Sequence, residues 1–178
     1  MKPASTRYQP PSSRSRHAST IGVRALVAML LLVVAAPAVA AVSCSVSAPN
    51  LSFGSYDVFA GSQITSTTTV SVTCTLTGNA TTTVNYVIAL SPGLSNSFVQ
   101  RTMKSGANAL GYNLYSNSTR TTVWGDGSGA APTVSGSMTL TKSARVNTDS
   151  PTAYGSVPAL QDVGVGAYSD NITITVTY

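Results

Sequence analysis

From Val70 to Tyr178, apolar residues keep returning at every second position with hydroxyl-bearing residues between them. Val70, Val72, Cys74 and Leu76 begin the series, and Val84, Tyr86, Ile88 and Leu90 continue it. Leu110, Tyr112 and Leu114 repeat it, Met138 and Leu140 more weakly. At the end Ile172, Ile174, Val176 and Tyr178 share one face, with Thr173, Thr175 and Thr177 on the other. Successive strand side chains point to opposite faces, so this period sets strands with one buried and one wet face. Turn chemistry separates the runs: Gly78-Asn79, Ser91-Pro92-Gly93, Asp126-Gly127, and Gly164 with Gly166. No helical period follows residue 42. An all-β antiparallel sandwich in one domain is expected, without linker or internal repeat.

The first 40 residues are of another kind. Lys2, Arg7, Arg14, Arg16, Arg24 and His17 precede an apolar run from Ala25 to Val42 that contains Ala38-Val39-Ala40. A positive segment, an apolar segment and an A-x-A step describe a secretory signal peptide, with cleavage after Ala40. The run is 18 residues long, at the lower limit for a membrane anchor, and Pro37 with the terminal alanines suits a peptidase better. Residues 1–40 are therefore expected to be a leader, and 41–178 the exported domain.

That division moves the charge. Residues 41–178 carry five cations (Arg101, Lys104, Arg120, Lys142, Arg145) and five aspartates (57, 126, 149, 162, 170), so the formal +5 of the chain belongs to the leader. A neutral domain with scattered cations lacks the clustered charge that nucleic acid requires. Its two cysteines, Cys44 and Cys74, form an even pair in an oxidising compartment and are expected to be bridged. Closing a loop of that size contributes roughly 3–4 kcal/mol on the chain-entropy model.

Catalysis has few materials here. The domain contains no His and no Glu, which excludes Ser-His-Asp and Cys-His arrangements. Paired-carboxylate chemistry would rest on aspartates that sit largely beside turn glycines. A serine with Lys104 or Lys142 is a pairing too common to carry weight, and no glycine-rich phosphate cradle is present. Asp126-Gly127-Ser128-Gly129 lacks the oxygen ligands of a calcium loop and reads as a hairpin turn. The sequons at Asn79, Asn117 and Asn171 are of the kind a Thr-rich chain produces by chance. Neither enzyme activity, cofactor nor metal is expected.

An ordered set of short motifs resembles the spore coat protein U domains, subunits of archaic chaperone–usher pili. Cys44-x-Val46 and Leu51-x-Phe53-Gly54-x-Tyr56 open it, followed by Val72-x-Cys74, Arg101-x-Met103 and Leu110-x-Tyr112-Asn113-Leu114-Tyr115. Trp124-Gly125-Asp126-Gly127, Tyr154-Gly155-x-x-Pro158-x-x-Gln161 and Gly166-x-Tyr168-x-Asp170 complete it. The resemblance implies an incomplete immunoglobulin-like sandwich whose missing final strand is supplied by a donor. It also implies a periplasmic chaperone, an outer-membrane usher and other pilus subunits as partners, in fibres that support adhesion and biofilm growth.

The physics of such a groove stands by itself. A missing strand leaves unpaired backbone groups at an edge and an uncovered apolar floor. An incoming strand pairs with that edge and inserts alternate side chains. Four or five of these, at about 1.5–3 kcal/mol each, give on the order of 10 kcal/mol. That rivals the stability of a whole domain, about 5–15 kcal/mol. Ile172, Ile174, Val176 and Tyr178 are expected to form one groove wall and the chaperone contact. Trp124 is expected in the core.

The set departs from the family at its start. Cleavage after Ala40 leaves Ala41, Val42 and Ser43 ahead of Cys44, about 10 Å of chain, too short to fill a neighbour's groove. The subunit is expected to accept a strand without donating one, as a terminal or minor subunit. The alternative is a self-contained secreted binding or coat module with a complete sandwich.

Overall fold

The structure, a computed structural model, describes residues 41–178; the expected leader and its cleavage step lie outside the described residues. Ten strands follow in order: β1 (Ala41–Ser47), β2 (Ile64–Thr69), β3 (Ser71–Thr77), β4 (Thr82–Leu90), β5 (Arg101–Ser105), β6 (Asn108–Tyr115), β7 (Val134–Leu140), β8 (Val146–Asp149), β9 (Thr152–Val157) and β10 (Ile174–Thr177). A single 3-10 turn, Gly93–Ser95, lies between β4 and β5. All pairings are antiparallel.

One layer is organised by a long ladder. β2 pairs β9 from Ile64↔Val157 to Thr69↔Thr152, and β3 pairs β8 from Val72↔Asp149 to Thr75↔Val146. The register is the same throughout, and the Val70 amide bonds the Pro151 carbonyl at the junction (2.9 Å). β1 flanks the β3 half, while β6 and then β5 flank the β9 half. The opposite layer is β10–β4–β7.

The alternation places the core between these layers. Val72, Cys74 and Leu76 on β3, Val84, Tyr86, Ile88 and Leu90 on β4, and Leu110, Tyr112 and Leu114 on β6 are all buried. Met138, Leu140, Ala153, Val157 and a fully enclosed Trp124 complete it. The inward residues of the two edge strands differ. Val42, Cys44 and Val46 on β1, and Ile174 and Val176 on β10, pack on the core but remain half-covered. The sandwich is therefore thinly covered where β1 and β10 meet, and it opens beyond them, between the chain that follows β1 and the chain that precedes β10. A closed, self-sufficient module does not match this architecture.

The disulfide joins Cys44 to Cys74, which face each other across the β1–β3 ladder with Cα atoms 4.0 Å apart. It staples the edge strand to the strand beneath it.

Two expectations need correction. Asp126-Gly127 is not a hairpin turn between paired strands, because β6 and β7 lie in different layers. It is a tight turn inside the 116–133 connection. Positive φ at Gly127 and Gly129 and the Gly127 amide bonding the Ala131 carbonyl (2.9 Å) close it. The last strand is also shorter than its alternation suggests: Ile172 precedes it, and Tyr178 follows it, exposed.

Candidate functional site: an open groove between two unpaired walls

Beyond Ser47 the chain leaves β3 and runs on in extended form along the margin of β2, where Thr68 Oγ1 donates to the Pro49 carbonyl (3.0 Å). Among the described residues, Ala48–Tyr56 makes no backbone–backbone hydrogen bond. Opposite lies a second extended stretch. From Asp162 to Tyr168 it makes none either, and it is then held by the Ser169–Lys104 bridge before crossing to β4 at Thr173.

Two connected clefts of about 650 and about 460 Å³ separate these stretches. One wall runs from Ala48 to Phe59; the other returns from Val163 to Ile174 in the opposite sense. Leu51, Phe53, Met103 and Tyr168 border both clefts, and Val70, Leu90, Leu110, Leu114, Ala153 and Val157 contribute to the floor. At one end β1 and β10 touch and close the slot; the other end opens between residues 57–60 and 163–167. An extended segment lying here would run antiparallel to one wall and parallel to the other.

Phe53 is seated deeply. Its ring meets Tyr112 edge-on at 5.9 Å, and a Cβ at Gly155 would lie 2.7 Å from its Cζ. Only glycine at 155 admits the ring at this depth. Tyr112 donates its hydroxyl to Asp170 Oδ2 (2.7 Å), and Asp170 Oδ1 accepts from the Leu94 and Asn171 amides (2.9 and 2.7 Å). Burial first, and the adjacent Asp170 second, raise the Tyr112 phenol well beyond its ordinary range. This hub fixes the crossover where the second wall passes between layers.

The open end is tied by Gln161. Its side chain accepts from the Gly111 amide (2.7 Å) and donates to the Gly111 carbonyl (2.9 Å), standing in for a strand partner. The Gln161 amide donates to Tyr56 Oη (2.7 Å), and that hydroxyl donates to the Pro158 carbonyl (2.9 Å). One end of each wall is thereby fastened to β6.

Behind the groove, Arg101 is completely enclosed. Nη1 donates to Asn113 Oδ1 (2.7 Å), Nη2 to the Trp124 and Ser91 carbonyls (2.8 and 2.9 Å), and Nε to Ser91 O (3.2 Å). The Phe98 ring lies 5.1 Å from its guanidinium carbon. Burial lowers its pKa, and Tyr112, Asp170 and Asp126 oppose that in turn. Trp124 in turn donates Nε1–H to the Ile88 carbonyl (3.0 Å). Sequence reading counted Arg101 among scattered cations and missed this role; the Arg101-x-Met103 motif was the available signal.

The residues named from sequence fall into three places. Phe53, Gly54, Tyr112, Leu114, Gly166, Tyr168, Asp170, Ile172 and Ile174 line the clefts. Val176 is half-buried at the closed end and Tyr178 lies outside. Asn113, Tyr115, Trp124, Gly125, Asp126, Gly127, Tyr154, Pro158 and Gln161 lie outside the clefts, as does Gly155 beneath Phe53; of these, Pro158 and Gln161 tie the open end, and Asn113 and Trp124 hold Arg101. The Ala48–Phe59 wall carries no long alternation, and only Leu51-x-Phe53 marked it.

With that geometry in place, the chain belongs to the Spore Coat Protein U domain family, whose sequence profile matches residues 29–175. Protein U of Myxococcus xanthus is 31% identical over 136 residues, covering 72% of this chain and 72% of that protein. The solved chaperone–tip adhesion subunit pre-assembly complex CsuC–CsuE, from the archaic chaperone–usher Csu pili of Acinetobacter baumannii, is 20% identical with a TM-score of 0.46. The overlap covers 78% of this chain and 40% of that one.

Proposed function

We propose that this protein is an exported subunit of a chaperone–usher pilus whose groove accepts an extended strand from another polypeptide. The observation that supports it is the pair of facing walls, unpaired in backbone over Ala48–Tyr56 and Asp162–Tyr168, whose half-buried apolar side chains stand over an apolar floor. A strand with alternating apolar side chains satisfies both needs at once, pairing the backbone and completing the core. In the periplasm a chaperone supplies that strand; at an outer-membrane usher a neighbouring subunit replaces it, and the fibre on the cell surface serves adhesion and biofilm growth. Cleavage after Ala40 leaves Ala41–Ser43 as the only preceding residues, and all three already pair with Thr77–Thr75 in the subunit's own ladder. A subunit processed there accepts without donating, as a terminal or minor component does.

Half-buried Leu51, Phe53, Met103, Ile172 and Ile174 would each gain about 1 kcal/mol on full coverage. A ten-residue peptide of alternating apolar and Ser/Thr residues should raise the melting temperature of the exported chain by at least about 10 °C at saturation. A peptide of the same composition with its alternation broken should not. Equal effects of the two, or no effect of either, would overturn the reading.

A further inference from the structure

The open end of the groove carries more than a strand needs. Phe59 (88% exposed) and Val165 (108%) stand on opposite walls of the mouth, and Leu160 (67%) projects from the loop that Gln161 fastens. The Tyr56–Pro158–Gln161 bonds fasten the segment that carries Leu160, the Ala60 amide donates to the Asp57 carbonyl (3.1 Å) in the turn that carries Phe59, and Tyr168 Oη donates to the Gly164 carbonyl (2.6 Å) beside Val165. Asp57 and Asp162 are exposed beside them. Lys104 is the exposed cation at this end, carried by edge strand β5, whereas Asp57 lies by β2 at the other margin of that layer. Preorganised apolar tips ringed by charge mark contact surfaces.

The opposite end of the long ladder, roughly 40 Å away, has the converse character. Lys142 and Arg145 are exposed in the β7–β8 loop next to Val146 (58% exposed). Arg145 is presented by a bond from Nη2 to Asn79 Oδ1 (2.8 Å). No acidic residue occurs in the loops and strand ends meeting there, 75–83 and 140–148. β1 also begins at this end, where Ala41 faces Thr77.

We propose that the rim formed by Phe59, Leu160, Val165, Asp57 and Asp162 is a docking surface for the Lys142–Arg145–Val146 end of a second copy of this chain. The occupant follows from complementarity: each end offers an exposed apolar contact, and the charges are opposite in sign. A contact between unlike ends does not close on itself and generates linear arrays. It joins folded bodies and transfers no strand. It goes beyond the strand-accepting function and needs that function only to keep the groove filled in the test.

The test is sedimentation of the full exported chain, its groove saturated with the alternating peptide, at about 0.05 M and about 0.5 M salt. Wild type should associate with rising concentration, less at high salt. The pair Asp57→Lys with Asp162→Lys, and the pair Lys142→Glu with Arg145→Glu, should each associate at least about tenfold more weakly, because like charges then meet. Mixing the two variants restores opposite charges at every junction and should restore association. Phe59→Ser with Val165→Ser should weaken it at both salt concentrations. A wild type monomeric up to roughly millimolar, charge variants that associate normally, or a mixture that fails to recover would each overturn the proposal. Peptide capture, read separately as thermal stabilisation, reports on the groove; the Lys142/Arg145 variant should capture peptide as wild type does.

Discussion

Replacing Arg101 by methionine tests whether the cage behind the groove holds the two layers together. The guanidinium spans from Ser91, at the end of β4, to Asn113 on β6 and to Trp124. Methionine keeps the apolar stem and removes every donor. Asn113 Oδ1 retains a bond from the Leu114 amide (3.0 Å), so the carbonyls of Ser91 and Trp124 are the acceptors left without their guanidinium donors. Each buried acceptor without a partner costs about 1–3 kcal/mol. Relief from burying the cation offsets part of this, and no carboxylate accepts from Arg101 to be stranded in turn. A net loss of about 2–4 kcal/mol follows, or about 8–16 °C in melting temperature for a domain of this size. Arg101→Lys should fall in the same range, since one ammonium cannot reproduce the planar fork. The assay is urea unfolding at a fixed, saturating concentration of strand peptide, with stability read from the midpoint at unchanged slope. An Arg101→Met protein as stable as wild type would refute the reasoning, because the cost of burying the charge would then equal what its bonds contribute.

Other consequences follow from single contacts. Tyr86 is pushed up to about 12, by burial first and by its bond to Asp149 second. A raised folded-state value gives stability that is intact below the unfolded phenol range near 10 and lost as pH rises toward 12. Alkaline unfolding should therefore be steep in that window and shallower in Tyr86→Phe; identical profiles would rule out Tyr86 as the source. Exchanging Cys44 and Cys74 for serine should cost roughly 3–4 kcal/mol and lower the yield of exported protein, and an unchanged midpoint would show that β1 does not depend on the staple. Gly155→Ala should force Phe53 out of its seat and weaken peptide capture by at least about tenfold, so unaltered titration curves would mean the ring is not a fixed part of the floor. Mass spectrometry of the exported chain should find its first residue at Ala41; a start well upstream would restore a possible donor segment and remove the case for a terminal subunit.

The layers were legible because their signal is binary. Inner strands such as β3 and β4 bury every second side chain, so the hydroxyl-apolar alternation reports them directly. Most strands that escaped notice are those in which burial is incomplete or polar; β9 (TAYGSV) is largely buried, but Gly155 and Ser156 break its apolar alternation. β2 (ITSTTT) has one apolar residue, β8 (VNTD) is exposed throughout, and β5 opens with the buried Arg101. β2 and β8 follow from the long ladder they complete, a constraint between residues 71 to 93 positions apart that no local window contains, whereas β5 is held by its hairpin with β6.

The groove divides in the same way, and the division explains why its Ala48–Phe59 wall was readable only by resemblance. The Ile172–Ile174 side lies against β4 and inherits the alternation of a strand. The Ala48–Phe59 side joins no strand ladder among the described residues, so no ladder imposes a period on it. Its sequence answers to depth instead: Leu51 and Phe53 must reach the floor, Gly155 must leave room for the ring, and Tyr56 must reach Pro158 and Gln161. Those demands fix single residues at irregular spacing. A wall built to be paired by another polypeptide lacks the local signature of a strand, because the partner that would make it one is encoded elsewhere. The same logic predicts where sequence change is tolerated. Exchanging Ser52 for another β-tolerant residue should leave peptide capture intact, while a proline there, which removes a backbone donor from the wall, should weaken it; equal capture by both would show that the Ala48–Tyr56 backbone does not pair with the incoming strand.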